Sequence, residues 1–134
     1  MRITADTNLL VRATTDDDRA QAEAARRILR EATAVAIPVA VFCELSWVLG
    51  RGYRYSKPQI GIALAKWLHA STVITDQQAV QDGLDVNALG GDFSDGAVAR
   101  QGRDAGCPVF ASFDRTALKL LASLGHDSID PLAL

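Results

Sequence analysis

The sequence has 134 residues, of which 49% are hydrophobic, and this is enough for one domain with its own core. Its apolar runs are far shorter than the ~20 residues that a membrane helix needs, so we expect a soluble protein. A net charge of −2 excludes a strongly basic nucleic-acid-binding domain, so any polynucleotide must be held by a local surface. Residues 1–6 lack the basic and apolar regions of a secretory signal, which favours the cytoplasm.

Strand-like and helix-like segments alternate along the chain, without internal repeats or linkers. This alternation is typical of a parallel sheet covered by helices, so the sequence predicts a single three-layer α/β domain over residues 1–134. Its central sheet should contain four or five mainly parallel strands. The predicted strands are 3–5, 34–37, 72–74, 108–111 and 128–129. The predicted helices are 18–32, 38–50, 57–69, 76–89, 93–105 and 114–124.

Two aspartates follow predicted strands, Asp6 after the first and Asp114 after the fourth. In open parallel sheets ligands bind outside the carboxyl ends of the strands, because loops and helix amino termini converge there. Either residue alone is more often a helix cap or a turn former. The two together favour a shared site at this edge of the sheet.

Glu44 lies on the predicted helix 38–50, with Val41 and Val48 at positions −3 and +4 and Leu45 beside it. This spacing predicts apolar surroundings for the carboxylate. A charge in such surroundings is unfavourable unless it is paired or binds a metal. The alternative to a metal is a salt bridge with one of the arginines.

Asp92 and Asp95 have the spacing of a helix N-cap and the third helical position, where negative charge complements the helix dipole. Capping alone explains both residues. If one cap is enough, Asp95 is the better candidate for a metal ligand, since Gly96, Ala97 and Ala99 would let its helix approach a neighbour closely. Asp92 is then a cap or a second ligand.

The candidate acids have no His or Cys partner at metal-ligand spacing. Oxygen ligands alone favour Mg²⁺ or Mn²⁺ over Zn²⁺. Such an ion can polarise a phosphate oxygen and help to generate hydroxide from water, which is the chemistry of phosphodiester hydrolysis. The small polar residues Asn8 and Ser112 could orient waters or ligands nearby. The acids are Asp6, Glu44, Asp92, Asp95 and Asp114.

Four motifs follow one another across nearly the whole chain. They are Ala5-Asp6-Thr7-Asn8 after the first strand, Glu44 in the helix after the second, Asp92-Phe93-Ser94-Asp95-Gly96-Ala97 opening a later helix, and Ser112-Phe113-Asp114 after the fourth strand. Their order and spacing resemble the PIN domain family, and within it the small VapC-type toxins of bacterial and archaeal toxin-antitoxin pairs. The sequence departs from the family where Ser112 replaces a frequent threonine and Gly96 a frequent alanine. Neither change removes a carboxylate or a hydroxyl.

The resemblance implies a PIN-like fold, endonucleolytic cleavage of RNA, a homodimer, and a cognate antitoxin protein that covers the acidic groove. Residues 51–57, Arg-Gly-Tyr-Arg-Tyr-Ser-Lys, interleave cations with aromatics, which can pair with phosphates and stack on unpaired bases. The same segment is equally compatible with an antitoxin-facing surface or a polar loop. The residues to which the resemblance assigns metal binding and water activation are Asp6, Glu44, Asp95 and Asp114, with Asp92 as an auxiliary acid and Asn8 and Ser112 in support.

Other families with an acidic site fit the sequence less well. A phosphatase of the haloacid dehalogenase type needs a second Asp two positions after the first, where this chain has Asn8. A receiver domain needs a late lysine at a strand end, whereas Lys119 lies on a predicted helix. A non-catalytic PIN-like binding module is the rival from another class, and the complete acidic set argues against it because an unneeded buried acid costs stability. The sequence leaves DNA as an alternative substrate.

The histidines and tryptophans predict no further site. His69 and His126 lie near the ends of predicted elements and are interpreted as surface or capping residues. Trp47 and Trp67 occur with Leu and Ala at helical spacing and are interpreted as core or dimer contacts rather than as base-stacking platforms.

Overall fold

The computed structural model describes residues 1–134, in which seven α-helices alternate with five short strands. None of the helices is both long and apolar enough to span a membrane. The strands are β1 (Arg2–Thr4), β2 (Ala34–Ala36), β3 (Val73–Ile74), β4 (Val109–Ala111) and β5 (Asp127–Ile129). The helices are α1 (Thr7–Thr14), α2 (Arg19–Glu31), α3 (Val39–Trp47), α4 (Lys57–Leu68), α5 (Gln77–Ala88), α6 (Phe93–Asp104) and α7 (Arg115–Ser123). A π-helical turn (Val48–Gly52) follows α3, and a 3₁₀ turn (Pro131–Ala133) follows β5.

The chain divides into two compact units, which we call unit 1 (Met1–Asp76) and unit 2 (Gln77–Leu134). In unit 1 the strands form one parallel sheet in the order β1-β2-β3. Ile3 pairs with Val35, and Val35 pairs with Val73 on the other side. Because β2 is central, its residues Ala34 and Val35 are buried.

In unit 2 the strands β4 and β5 form a parallel pair, with Phe110 opposite Ser128. The predicted α/β class with parallel strands is therefore confirmed. The five strands are divided between a sheet of three and a sheet of two. Parallel neighbours need a crossover between them, and a helix supplies it in each case, as α7 does between β4 and β5.

The core of unit 1 comes from one face of each helix. On α3 the buried positions are Val39, Phe42, Leu45 and Ser46, which recur at the spacing of a single helix face. Leu10 of α1 is also fully buried. Burial of one such large apolar side chain stabilises the fold by roughly 1.5–3 kcal/mol, so these helices are fixed mainly by packing.

Local capping explains where several helices begin. Asp18 caps α2, and Ser56 with Gln59 forms a reciprocal capping box at the start of α4. Helix α1 is absent from the sequence prediction, because eight residues directly after a strand show too short an apolar pattern. Its cap, Asp6, follows β1 directly, and helix capping was the alternative interpretation of this residue.

The approach of α5 and α6 in unit 2 is close because glycines lie at the contact. A Cβ atom added to Gly96 would collide with the backbone of Asp82 and Gly83 on α5. A Cβ added to Gly83 would meet the ring of Phe93 at 2.6 Å. The prediction that small residues after Asp95 allow close helix packing is confirmed. Gly96 is therefore a packing requirement at this contact.

Candidate active site

Asp6 stands at the point where β1 becomes α1. The Ala5 amide donates to the Ala36 carbonyl at 2.9 Å, so pairing with β2 continues to the residue before Asp6. Oδ1 of Asp6 then accepts from the Leu9 amide at 2.8 Å and caps α1. The residue is exposed. A carboxylate has a second oxygen, so the cap still leaves Asp6 able to bind a cation.

Glu44 is linked to the same end of β1 through a threonine. Oγ1 of Thr7, the residue after Asp6, donates to Oε2 of Glu44 at 3.0 Å. Unit 1 therefore brings a strand-end acid and a helix acid together through one hydroxyl. A hydrogen bond of this kind fixes the direction of the carboxylate.

The expectation of apolar surroundings for Glu44 was wrong, since the residue is exposed. The buried face of α3 passes through Phe42 and Leu45, and a residue two positions after Phe42 points to nearly the opposite side of a helix. Val41 and Val48, which suggested apolar surroundings, are themselves only half-buried. Exposure removes the desolvation cost of the charge and leaves the carboxylate accessible to ligands.

Asn8 shares a cleft of unit 1 with Asp6. The cleft measures about 450 Å³ and lies between α1 and α2, with Arg12 also on its wall. Its floor and far side are mainly apolar, formed by Leu9 of α1 and by α2 residues that include Ile28. Asn8 therefore lies where its amide can reach a ligand held near Asp6.

Asp114 repeats in unit 2 the arrangement seen at Asp6. It follows β4, is exposed, and caps α7 by accepting from the Ala117 amide at 3.1 Å through Oδ1. Ser112 stabilises the turn before α7, because its Oγ accepts a hydrogen bond from the Asp114 amide at 3.0 Å. The Ser112 amide in turn donates to the Ile129 carbonyl of β5 at 3.2 Å, which ties this turn to the sheet.

Asp92 and Asp95 occupy the first turn of α6. Oδ1 of Asp92 accepts from the Ser94 amide at 3.1 Å, so Asp92 is the N-cap, as predicted. Asp95 is half-buried and lies in the first turn, where its negative charge complements the helix dipole. The helix can begin with two acids because one is a cap and the other faces the positive end of the dipole.

The donor chemistry of these acids fits a hard divalent cation. All the donors are carboxylate oxygens, and each capping aspartate uses Oδ1 for its cap and keeps Oδ2. No three Asp, Glu, His or Cys side chains lie together as a group that could hold a metal ion. The fit of these acids to a metal is therefore one of donor type.

A second network in unit 1, centred on Asp17, escaped the sequence analysis. Tyr53 donates to Oδ2 of Asp17 at 2.6 Å, while Arg12 and Thr15 donate to Oδ1 at 2.9 and 3.0 Å. The Tyr53 bond, followed by those from Thr15 and Arg12, holds the pKa of Asp17 below its usual value against the opposing effect of desolvation. The same bond to Asp17 raises the pKa of Tyr53 above its usual value, and desolvation adds to this shift.

His126 is buried, so its interpretation as a surface or capping residue was wrong. Its Nε2 lies 3.5 Å from Oδ2 of Asp82, and Nη1 of Arg100 lies 3.7 Å from the same oxygen. Gln78 donates to Oδ1 of Asp82 at 2.8 Å. Asp82 thus has a partner on each oxygen, which is what a buried carboxylate requires. No local pattern marks this cluster, because its members come from α5, α6 and the residue just before β5.

The comparison with known families gives a match over most of the chain. The family model described as PIN domain matches residues 3–122, a range that includes every acid considered above. No curated protein matches the sequence significantly.

Proposed function

The chain belongs to the PIN domain family, whose members are generally nucleases that use divalent metals, and we propose that it is a Mg²⁺- or Mn²⁺-dependent endoribonuclease. The family match runs through both units, so we treat residues 1–134 as one PIN domain in function. The proposed catalytic residues and metal ligands are Asp6, Glu44, Asp95 and Asp114, with Asp92 as an additional ligand.

The proposal rests on the accessibility of the carboxylates. In a purely structural role, partners within the protein would occupy their oxygens. Asp6, Glu44 and Asp114 are exposed, and each of the three has a single hydrogen bond to its carboxylate. Exposed carboxylate oxygens with few protein partners are available to bind a divalent cation, which supports a metal-dependent reaction.

Each residue contributes a definite part of the chemistry. The α1 and α7 caps hold Asp6 and Asp114 with one oxygen, so their other oxygens keep a fixed direction. Thr7 holds Glu44 by its hydroxyl, and Asn8 and Ser112 support the adjacent turns. The chemistry that a bound divalent cation supplies is neutralisation of phosphate charge and activation of water. A carboxylate of the set then accepts the proton that the attacking water loses.

We further propose that the protein is the VapC-type toxin of a toxin-antitoxin pair, a homodimer that acts on RNA in the cytoplasm and is inhibited by a cognate antitoxin. Support comes from the order of the four motifs along the chain. An apolar-walled cleft beside Asp6 is a suitable surface for a partner that blocks the acids.

The test is cleavage of a mixed structured RNA, with tRNA included, by purified protein in Mg²⁺ or Mn²⁺, with no antitoxin present. The Asp6→Asn and Asp95→Asn variants are compared with Asp104→Asn, which removes an equal charge from the far end of α6. We expect cleavage that EDTA abolishes, that both site variants lose, and that Asp104→Asn retains.

Three results would overturn the proposal in whole or in part. Equal cleavage by wild type and by both site variants would mean a contaminating nuclease or a different site. Protein that binds Mn²⁺ but cleaves neither RNA nor DNA would favour the non-catalytic binding module. Cleavage of DNA in place of RNA would keep the metal site and change the substrate.

A further inference from the structure

Trp47 at the end of α3 has an exposure that its sequence context does not explain. Its residue is 60% exposed, whereas Phe42, Leu45 and Leu49 on the same helical segment are fully buried. Trp47 therefore does not belong to the core, contrary to one of the two roles expected for it. Tryptophan is enriched at binding surfaces, where its large ring contributes contact area and its N–H finds a partner.

Trp47 lies on the same face as Glu44 and Arg51. Residues three and four apart are neighbours on a helix, and Glu44, Trp47 and Arg51 are separated by three and by four positions. All three are exposed. The guanidinium carbon of Arg51 lies 5.8 Å from the centroid of the Trp47 ring, within the range of a cation–π contact. Glu44, Trp47 and Arg51 thus form one exposed stripe, in which an aromatic ring lies between a candidate catalytic acid and a cation.

The segment after Arg51 adds positive charge and is held in place. Arg54 is exposed and has a positive φ of 57°, which fixes an unusual turn in a residue other than glycine. On one side of this turn the Tyr53 hydroxyl is anchored on Asp17 at 2.6 Å. On the other side the Tyr55 amide donates to the Leu49 carbonyl at 2.9 Å. The basic residues are therefore presented by an anchored turn.

We propose that Trp47 and Arg51 form a subsite for single-stranded RNA beside Glu44, in which Trp47 stacks on an unpaired base and Arg51 pairs with a phosphate. The inference rests on the proposed ribonuclease function and assigns a specificity role to residues outside the acidic set. Arg51 lies over the Trp47 ring, and the residue stays 60% exposed despite this contact. Every nucleobase has a π face, so such a platform selects unpaired nucleotides rather than one sequence.

Charge favours RNA over a protein as the occupant of this stripe. The whole chain carries a net charge of −2, so phosphate must be attracted by a local cluster such as Arg51 and Arg54. Protein interfaces are depleted of Glu, whereas this stripe includes the exposed Glu44.

The chain offers a direct spectroscopic test, because it has only two tryptophans. The Trp67→Phe variant leaves Trp47 as the sole tryptophan, and Trp47→Phe leaves Trp67 as the matched control. Each is titrated in EDTA with a short unstructured oligoribonucleotide, and separately with an abasic ribose-phosphate oligomer of the same length. We expect the oligoribonucleotide to quench Trp47 fluorescence, the abasic oligomer to leave it nearly unchanged, and Trp67 to respond to neither.

Binding of the same labelled oligoribonucleotide, followed by fluorescence anisotropy, gives the size of the effect. Loss of one stacked base predicts that Trp47→Ala weakens binding by about five-fold to a hundred-fold, and that Trp47→Phe weakens it less. Arg51→Gln should weaken the binding of both oligomers. It should also reduce the slope of log affinity against log salt concentration by about 0.7. Circular dichroism checks that these exposed substitutions leave the fold intact.

Working in EDTA separates the subsite from the nuclease. Quenching of Trp47 without any metal-dependent cleavage would support the subsite and overturn the proposed function. Cleavage with an unchanged KM in Trp47→Ala, together with no quenching, would overturn the subsite alone. Conversion of a dimer into a monomer by Trp47→Ala, with RNA affinity unchanged, would assign the stripe to a protein interface and also overturn it.

Discussion

The start of α1 in unit 1 and the α5–α6 contact in unit 2 use carboxylates in opposite ways. Asp6 is exposed and uses one oxygen for a single helix-capping bond. Asp82 is 9% exposed, and both of its oxygens are matched by Gln78, Arg100 or His126. An acid whose acceptors are filled and buried holds elements together. An acid with an accessible oxygen at the end of a strand is available for chemistry.

The largest effect should come from separating the two roles of Asp6. Asn caps a helix about as well as Asp but loses the negative charge, whereas Ala loses both functions. We expect Asp6→Asn and Asp6→Ala each to reduce the RNA cleavage rate by about a hundred-fold or more, because a ligand of the proposed metal is lost. Urea unfolding should be unchanged for Asp6→Asn and lower by about 1 kcal/mol for Asp6→Ala. Full activity in Asp6→Asn would reduce Asp6 to a cap.

The α5–α6 contact should show a large effect on stability. Gly96→Ala places a Cβ against the Asp82 backbone, which cannot rotate away as a side chain could. We expect a loss of about 1–3 kcal/mol in the free energy of unfolding. Gly102→Ala on the same helix is the control, because its Cβ would meet only the Cys107 carbonyl at 3.4 Å. It should be neutral or slightly stabilising, since Ala favours helix. Equal effects from both variants would contradict the packing argument.

A smaller effect on stability should come from Asp82 itself. Asp82→Asn removes the charge opposite Arg100 and His126 but keeps an oxygen that can accept from Gln78. We expect a loss of about 1 kcal/mol in the free energy of unfolding, measured in urea, with RNA cleavage unchanged. A loss of cleavage with no change in stability would place Asp82 among the functional acids and erase the contrast with Asp6.

Local patterns in the sequence predicted most of the elements, because helix periodicity and helix capping act over a few residues. Helix α2 was predicted at 18–32 and spans Arg19–Glu31. The predicted parallel strands are present, and the role of Asp92 as the α6 cap is confirmed. The site residues stay predictions that depend on the order of motifs along the chain.

The errors came from orientation and from long-range pairing. Glu44 was assigned to the wrong side of α3. Val41 and Val48 resemble a core face in the sequence, but the buried face of the helix passes through Phe42. His126 contacts Asp82 only in the folded structure, and no spacing along the chain indicates such a pair. Contacts between residues far apart in sequence depend on tertiary packing, which local patterns in a single sequence do not show.

The bond between Tyr53 and Asp17, 36 positions apart, gives the smallest predicted effect and one with a clear pH dependence. The folded-state pKa of Tyr53 is raised, so its contribution to stability is present below the unfolded pKa and is lost as pH rises through the folded pKa. The folded-state pKa of Asp17 is lowered, so its contribution is present above the unfolded pKa and is lost as pH falls through the folded pKa.

Wild type should therefore exceed Tyr53→Phe in urea midpoint by a constant, small margin between these limits. The margin should shrink above about pH 10 and below about pH 4, where tyrosine and aspartate ordinarily titrate. Tyr55→Phe is the control, because it leaves the Asp17 bond intact and should keep the wild-type profile. The exposure of Asp17 limits the effect through solvent screening. A margin that stayed the same from acid to alkaline pH would mean that Tyr53 stabilises the turn by packing and not through Asp17.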